Sequence, residues 1–300
     1  MAKTILILGS TGRFGRNGVS AFKRAGWTVR TFDRATDDLM VKAKGVDVIL
    51  NGWNPVYTEW AKQIPKLTQR VIAAAKIGGA TVMIPGNVYV FGKDAPQNFT
   101  ENTAHAATNK LGRIRMEMEA AYRNAGVQTI IIRAGDFLDT EASGNWFDLI
   151  MTRKLAKGVF TYPGPLNLPH AFAYLPDLLA AFVCLAEARE SLGKFEDVPF
   201  SGYTLTGQQL GDAVSAAVGQ PIKVQQMAWW PIRLISPFWA MGARLVEMSY
   251  LWRKTHHLDN TKLKRLLPDF KPTPLSAAIN LALSLDVNPD QPMVTAQIAV

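Results

Sequence analysis

The sequence predicts an α/β fold: a doubly wound parallel sheet with a smaller, mostly helical C-terminal lobe. Three observations lead there. Short, nearly continuous apolar runs alternate with amphipathic helical patterns through the first 137 residues, a glycine-rich turn follows the first run, and an acidic residue ends the second.

The elements follow in order. Thr4–Leu8 reads as a strand buried on both faces, and Arg13 to Arg24 as a helix closed by Gly26. Thr28–Phe32 and Val46–Leu50 are the next two strands. Trp60, Ile64, Leu67, Val71 and Ala75 recur at three and four, predicting a helix bent near Pro65. Thr81–Ile84 is the fourth strand. Leu111, Ile114, Met118, Ala121 and Ala125 mark a second amphipathic helix, and Thr129–Ile132 is the fifth strand. Beyond residue 137 the rhythm breaks. Residues 1–137 are read as the nucleotide-binding core and 138–300 as mainly a substrate lobe, with segments near 170–203 returning to the core.

Composition bounds the function. With 48% hydrophobic and 19% charged residues, the chain can bury a sizeable core. The net charge of +9 is concentrated: residues 1–100 hold 14 Lys/Arg against 6 Asp/Glu, a local balance of +8. That suits an anionic small ligand. No basic run, basic helix or zinc spacing accompanies it, so neither nucleic acid nor a metal is expected. The single cysteine, Cys184, lies in the apolar run Leu178–Leu185 and reads as a buried, inert thiol. The N-terminal apolar run is too short for a signal peptide or membrane span, and a cytoplasmic protein is expected.

The chemistry gathers at the first turn. Gly9, Gly12 and Gly15 are spaced G-x-x-G-x-x-G between strand and helix. Gly9 would allow the tight turn, Gly12 the approach of backbone to a pyrophosphate, and Gly15 close packing of helix on strand. Thr11, Arg13 and Phe14 complete the loop, and the helix N-terminus faces the phosphates. Asp33 stands eighteen residues beyond Gly15, where it would accept hydrogen bonds from ribose hydroxyls. The arrangement is that of a Rossmann-type dinucleotide site. Asp33 favours NAD, whereas Arg34 and Arg13 could pair with the 2′-phosphate of NADP.

These residues resemble the extended or atypical short-chain dehydrogenase/reductases, the NAD-dependent epimerase/dehydratase group. The glycine loop and Asp33 carry the resemblance, with Gly86-Asn87-Val88-Tyr89-Val90-Phe91-Gly92 and Asn51-Gly52-Trp53-Asn54-Pro55. Arg133–Phe137, Phe172–Asp177 and pieces from Thr204 to Asp259 extend it over nearly the whole chain. The resemblance implies NAD or NADP, a small-molecule substrate with a carbonyl or hydroxyl, sugar-type in the family's commonest theme, and a Ser/Thr, Tyr and Lys for catalysis. The Lys corresponds to Lys110, which would hold the nicotinamide ribose. The Tyr position, four residues earlier on the same helical face, is Ala106, and the Ser position is Asn87. Tyr89 is therefore the first candidate for a replacement acid/base, with Asp136 beside it at the same sheet edge. His170 is read as structural. The rival reading is a non-catalytic dinucleotide-binding redox sensor or interaction protein.

Met227–Trp252 holds four tryptophans and several arginines. It is read as core of the lobe or the lining of an apolar pocket, with membrane surface or a partner subunit as the alternative contact. A homodimer is left open.

Overall fold

The computed structural model describes residues 3–284. A six-stranded, all-parallel sheet forms its centre, from β1 (Thr4–Leu8), β2 (Thr28–Phe32), β3 (Val48–Asn51), β4 (Thr81–Gly86), β5 (Thr129–Arg133) and β6 (Phe195–Pro199). The spatial order is β6-β5-β4-β3-β1-β2. The connections leaving β1 and β3 run in opposite directions, so a crevice opens at their carboxyl ends.

Alternation along β1 builds two cores. Leu6 and Leu8 join Ile49, Val82, Ile84 and Ile131 under helices α2 (Trp60–Gly78) and α3 (Lys110–Asn124). Ile5 and Ile7 join Val48, Leu50, Met83, Ile130 and Ile132 under α1 (Arg13–Arg24) and α4 (Leu175–Glu187). Such double burial makes parallel strands read as unbroken apolar runs. α2 runs unbroken through Pro65 and ends at Gly79, whose φ is +68°.

Two expectations need correction. Cys184 is exposed. Helical periodicity turns Leu178, Leu179, Ala181, Phe182 and Leu185 inward and leaves Cys184 on the outer side of α4. The tryptophan segment is also divided: Trp229 and Trp252 are buried, but Trp230 and Trp239 are exposed.

A third core, with Phe147, Phe160, Tyr162, Phe172, Trp229, Trp252 and Ile279, lies beyond the sheet's carboxyl edge. It includes α5 (Gly207–Val218), opened by a Thr206/Gln209 capping box, and α8 (Leu275–Ala282) packed on it. Between them in sequence come α6 (Trp230–Ile235) and α7 (Ala240–Met248). A small sheet of Asp136–Leu138, His170–Tyr174 and Tyr203–Leu205 joins this core to the main sheet. Among the described residues no helix is long and apolar enough to cross a membrane.

Candidate functional site

The glycine loop leaves β1 through Gly9 at φ +74°, a left-handed turn with the Gly52 carbonyl oxygen 3.0 Å from where a Cβ would sit. A Cβ on Gly15 would fall 2.1 Å from the Gly9 carbonyl oxygen, so only glycine lets α1 approach this closely. Gly12 differs. It is the N-cap of α1 at φ −77°, ψ 164°, and a Cβ there would meet only Gly9 O, at 3.5 Å. Packing does not require glycine at that position, yet its absence of side chain leaves the helix end bare. No side chain caps the first turn, and no acidic residue lies in it. Such an end fits a pyrophosphate.

The flanking residues divide between binding face and scaffold. Thr11 is exposed. Phe14 is buried edge-on against Phe182, 5.2 Å between centroids, so its ring supports the loop from below and is not available to a ligand. Arg13 Nη2 donates to the Gly144 carbonyl at 2.7 Å, tying the loop to the segment after β5. Asp33 and Arg34 are exposed just past β2. Asp33 Oδ1 accepts the Ala35 N–H at 2.8 Å, and its own N–H donates to Asp37. The carboxylate thus stiffens its turn with one oxygen.

At the same sheet edge two tyrosines meet. Tyr57, in the 3-10 turn Tyr57–Glu59 before α2, and Tyr89, in the turn Tyr89–Phe91 after β4, share a 2.6 Å hydroxyl hydrogen bond. Burial raises both phenol pKa values; for Tyr89 the neighbouring Tyr57 and then the negative charge of Asp136 add to the rise, and for Tyr57 the Asp136 charge does. Both are neutral phenols around pH 7.

Asp136 owes its place to Gly135. A Cβ at Gly135 would sit 2.0 Å from the Ala171 carbonyl oxygen, so glycine alone lets the His170–Tyr174 strand lie alongside. His170 Nε2 then lies 2.6 Å from Asp136 Oδ2. The imidazole is buried, stacked on Trp252 at 4.2 Å and edge-on to His256 at 4.4 Å. Its Nδ1 has no partner among the described residues. The hydrogen bond between the buried ring and Asp136 fixes the carboxylate. Arg115, buried on α3, donates to the Pro85 carbonyl at 2.8 Å and lies over the Trp60 ring at 5.8 Å.

The positions matched to catalytic Ser, Tyr and Lys look different in three dimensions. Asn87 Oδ1 accepts the Tyr89 N–H at 3.0 Å and so shapes the Tyr89 turn. Helix α3 begins at Lys110, so Ala106 lies outside it, and the two residues do not share a helical face. Lys110 is exposed at the first helical position, with no ion pair among the described residues. Sequence reasoning passed over Tyr57, in a patternless stretch after β3, and Arg115, hidden among exposed-looking charges of an amphipathic helix. It named His170 but read it as structural.

Beneath the site lies a buried ion cluster. Arg133 ends β5 and pairs with Glu119 on α3 at 2.8 Å and with Asp197 on β6. Its Nη1 also donates to the Asn87 carbonyl. Burial opposes ionisation of Glu119, yet the Arg133 charge holds its pKa below the usual range. His105 brings a nitrogen to 3.8 Å from Glu119 and 3.9 Å from Asp197. These three residues could ligate a metal by spacing, but the cation between the carboxylates is the Arg133 guanidinium.

No family model matches the sequence, and no curated protein matches it. Solved structures do. MoeE5 in complex with UDP-glucose and NAD superposes with a TM-score of 0.73 at 13% identity, over 94% of this chain and 97% of that one. UDP-glucuronic acid 4-epimerase from Bacillus cereus, in complex with UDP-glucuronic acid and NAD, gives 0.70 at 14%, over 93% and 97%. L-threonine dehydrogenase from Phytophthora infestans gives 0.71 at 17%, over 94% and 99%. Over 93–94% of its length, this chain therefore shares its Rossmann-type fold with these structures.

Proposed function

We propose that the protein is an NAD(P)-dependent enzyme of the oxidoreductase or epimerase/dehydratase kind, acting on a hydroxyl or carbonyl carbon of a sugar-type substrate. One observation carries this reading. The bare N-terminus of α1 opens at the same sheet edge as the Tyr57–Tyr89 pair and the Asp136–His170 pair. A dinucleotide and an acid/base group would therefore share one crevice.

The amides after Gly12 would hold the pyrophosphate and Asp33 the adenosine ribose, which favours NAD. Lys110 is positioned for the nicotinamide ribose only if its long side chain reaches back over the Tyr89 turn, on which α3 packs. When bound, the nicotinamide supplies hydride transfer to or from substrate carbon. The protein's part is proton management. Tyr89, kept neutral by burial, is a proton donor to a developing alkoxide, and Tyr57 hydrogen-bonds to the resulting phenolate. Asp136, half-exposed and oriented by His170, can accept a proton from a substrate hydroxyl.

The test is turnover. Purified protein is incubated with each oxidised and reduced nicotinamide cofactor and with UDP-glucose, UDP-galactose, UDP-glucuronic acid and simple carbonyls. Absorbance reports net redox change, and mass spectrometry with chromatography reports epimers and dehydrated sugars. Conversion in any arm supports the enzyme. Tight cofactor binding with no conversion in any arm supports the redox-sensor reading, which the missing Tyr/Lys helical pair favours.

A further inference from the structure

The second half of the chain carries an apolar surface unrelated to the crevice chemistry. Phe238 is 94% exposed, and Trp230 and Leu234 are each 68% exposed. Ile235 and Trp239 are exposed beside them. All five fall on α6, on the 3-10 turn Ser236–Phe238, or at the start of α7, which pack on one another. Only Trp239 is anchored: its ring fills the space over Gly242, where a Cβ would come within 2.3 Å. α7 in turn packs on the Tyr57–Glu59 turn, so the surface continues past exposed Val56 toward the mouth of the crevice. Monomeric proteins seldom leave large aromatic and aliphatic side chains clustered in water.

Charge selects the occupant. From Met227 to Val246 the sequence contains no Asp or Glu, but it contains Arg233 and Arg244. Arg244 pairs with Glu247 at 2.6 Å, whereas Arg233 is exposed and forms no ion pair among the described residues. Glu59 on the adjoining turn is engaged by Gln63. A second copy docking by two-fold symmetry would set this carboxylate-free, basic segment against itself. An anionic lipid surface would complement it, taking the aromatic and aliphatic tips among acyl chains and Arg233 among headgroups.

We propose that the Trp230–Trp239 segment is a peripheral membrane-docking surface for anionic bilayers, holding the crevice mouth near the lipid. The proposal does not depend on the catalytic reading.

Flotation of the full chain with vesicles tests it, using pure phosphatidylcholine or phosphatidylcholine with a third phosphatidylglycerol. Wild type should float with the anionic vesicles and much less with the neutral ones. Leu234→Ser with Phe238→Ser, both at exposed positions, should lower the bound fraction about tenfold or more with an unchanged melting temperature. Arg233→Glu should lower binding to anionic vesicles several-fold. Wild type that stays with neither vesicle, or a double variant that floats like wild type, overturns the proposal. A wild-type dimer that the double variant splits, without vesicle binding, also overturns it and makes a second copy the occupant.

Discussion

Replacing Gly12 by valine should separate cofactor binding from folding. At φ −77°, ψ 164° the residue is extended, a conformation valine adopts readily, and its Cβ would meet only Gly9 O at 3.5 Å. The cost to the fold is that of a poorer N-cap, about 1 kcal/mol. For a chain of this size the melting temperature should fall by about 1–2 °C. On the ligand side, two methyl groups would stand between the bare helix end and a pyrophosphate. Losing two hydrogen bonds to a charged group, at about 1.5–3 kcal/mol each, removes about 3–6 kcal/mol. That corresponds to a dissociation constant about 10²–10⁴-fold weaker. Calorimetric titration with NAD and NADH reads the affinity, and circular dichroism reads the melt. Gly15→Ala is the counterpart, because its Cβ at 2.1 Å from Gly9 O strikes the fold itself. Affinity of Gly12→Val within about twofold of wild type would refute the assignment of the loop to a pyrophosphate.

Three other outcomes are expected. Asp33→Ala removes a carboxylate from the ribose position while Arg34 remains, so the preference for NAD over NADP should fall about tenfold, or about 1.4 kcal/mol; wild type already preferring NADP contradicts this. Tyr89→Phe should slow turnover about 10²–10⁴-fold with cofactor affinity unchanged, whereas Lys110→Ala should weaken cofactor binding and turnover together; full turnover in Tyr89→Phe removes Tyr89 from the mechanism. Burial, and then the nearby His170, depresses the His256 pKa well below 6.5, and His256 Nε2 has no partner among the described residues to stabilise a proton. The unfolded chain therefore binds this proton first as pH falls. Stability should be complete above about pH 6.5 and decline below it by up to about 1.4 kcal/mol per pH unit. Melting temperatures measured from neutral to acid should show the decline, and His256→Phe should flatten much of it.

Four of the six sheet strands were legible because burial on both faces writes itself as continuous apolar sequence, and the edge strand β2 was legible from its β-branched and aromatic residues. The sixth, Phe195–Pro199, was not, since Glu196 and Asp197 interrupt it. Asp197 is tolerated there because Arg133 neutralises it, and no local pattern announces a partner 64 residues away. The glycine loop was legible because Gly9 and Gly15 answer backbone constraints, while Gly12 leaves the helix end bare. Of the groups proposed to handle protons, Tyr89 and Asp136 were placed at the sheet edge from sequence, whereas the contacts Tyr57 makes with Tyr89 and His170 with Asp136 were not, because separate segments meet only on folding. The helical pairing of Ala106 with Lys110, carried over from the resemblance, failed because α3 starts at Lys110, in line with a periodicity that begins at Leu111. Trp230 and Trp239 were read as core or pocket lining because hydrophobicity predicts burial, and the structure leaves both exposed.

The Arg133 cluster also orders events in time. As the chain leaves the ribosome, Glu119 and Arg133 emerge close together, but Asp197 follows Arg133 by 64 residues, after the first segments of the third core. Until β6 slides in beside β5, the guanidinium lacks one of its two carboxylates, and the Asn87 turn leans on a half-satisfied support. Long-range closure of this kind is slow. The nucleotide loop, made from the first fifteen residues and β3, can be in place well before the turn that carries Tyr89 is locked. On the proposed reading, the loop for the dinucleotide is complete before the groups that would act on substrate are locked.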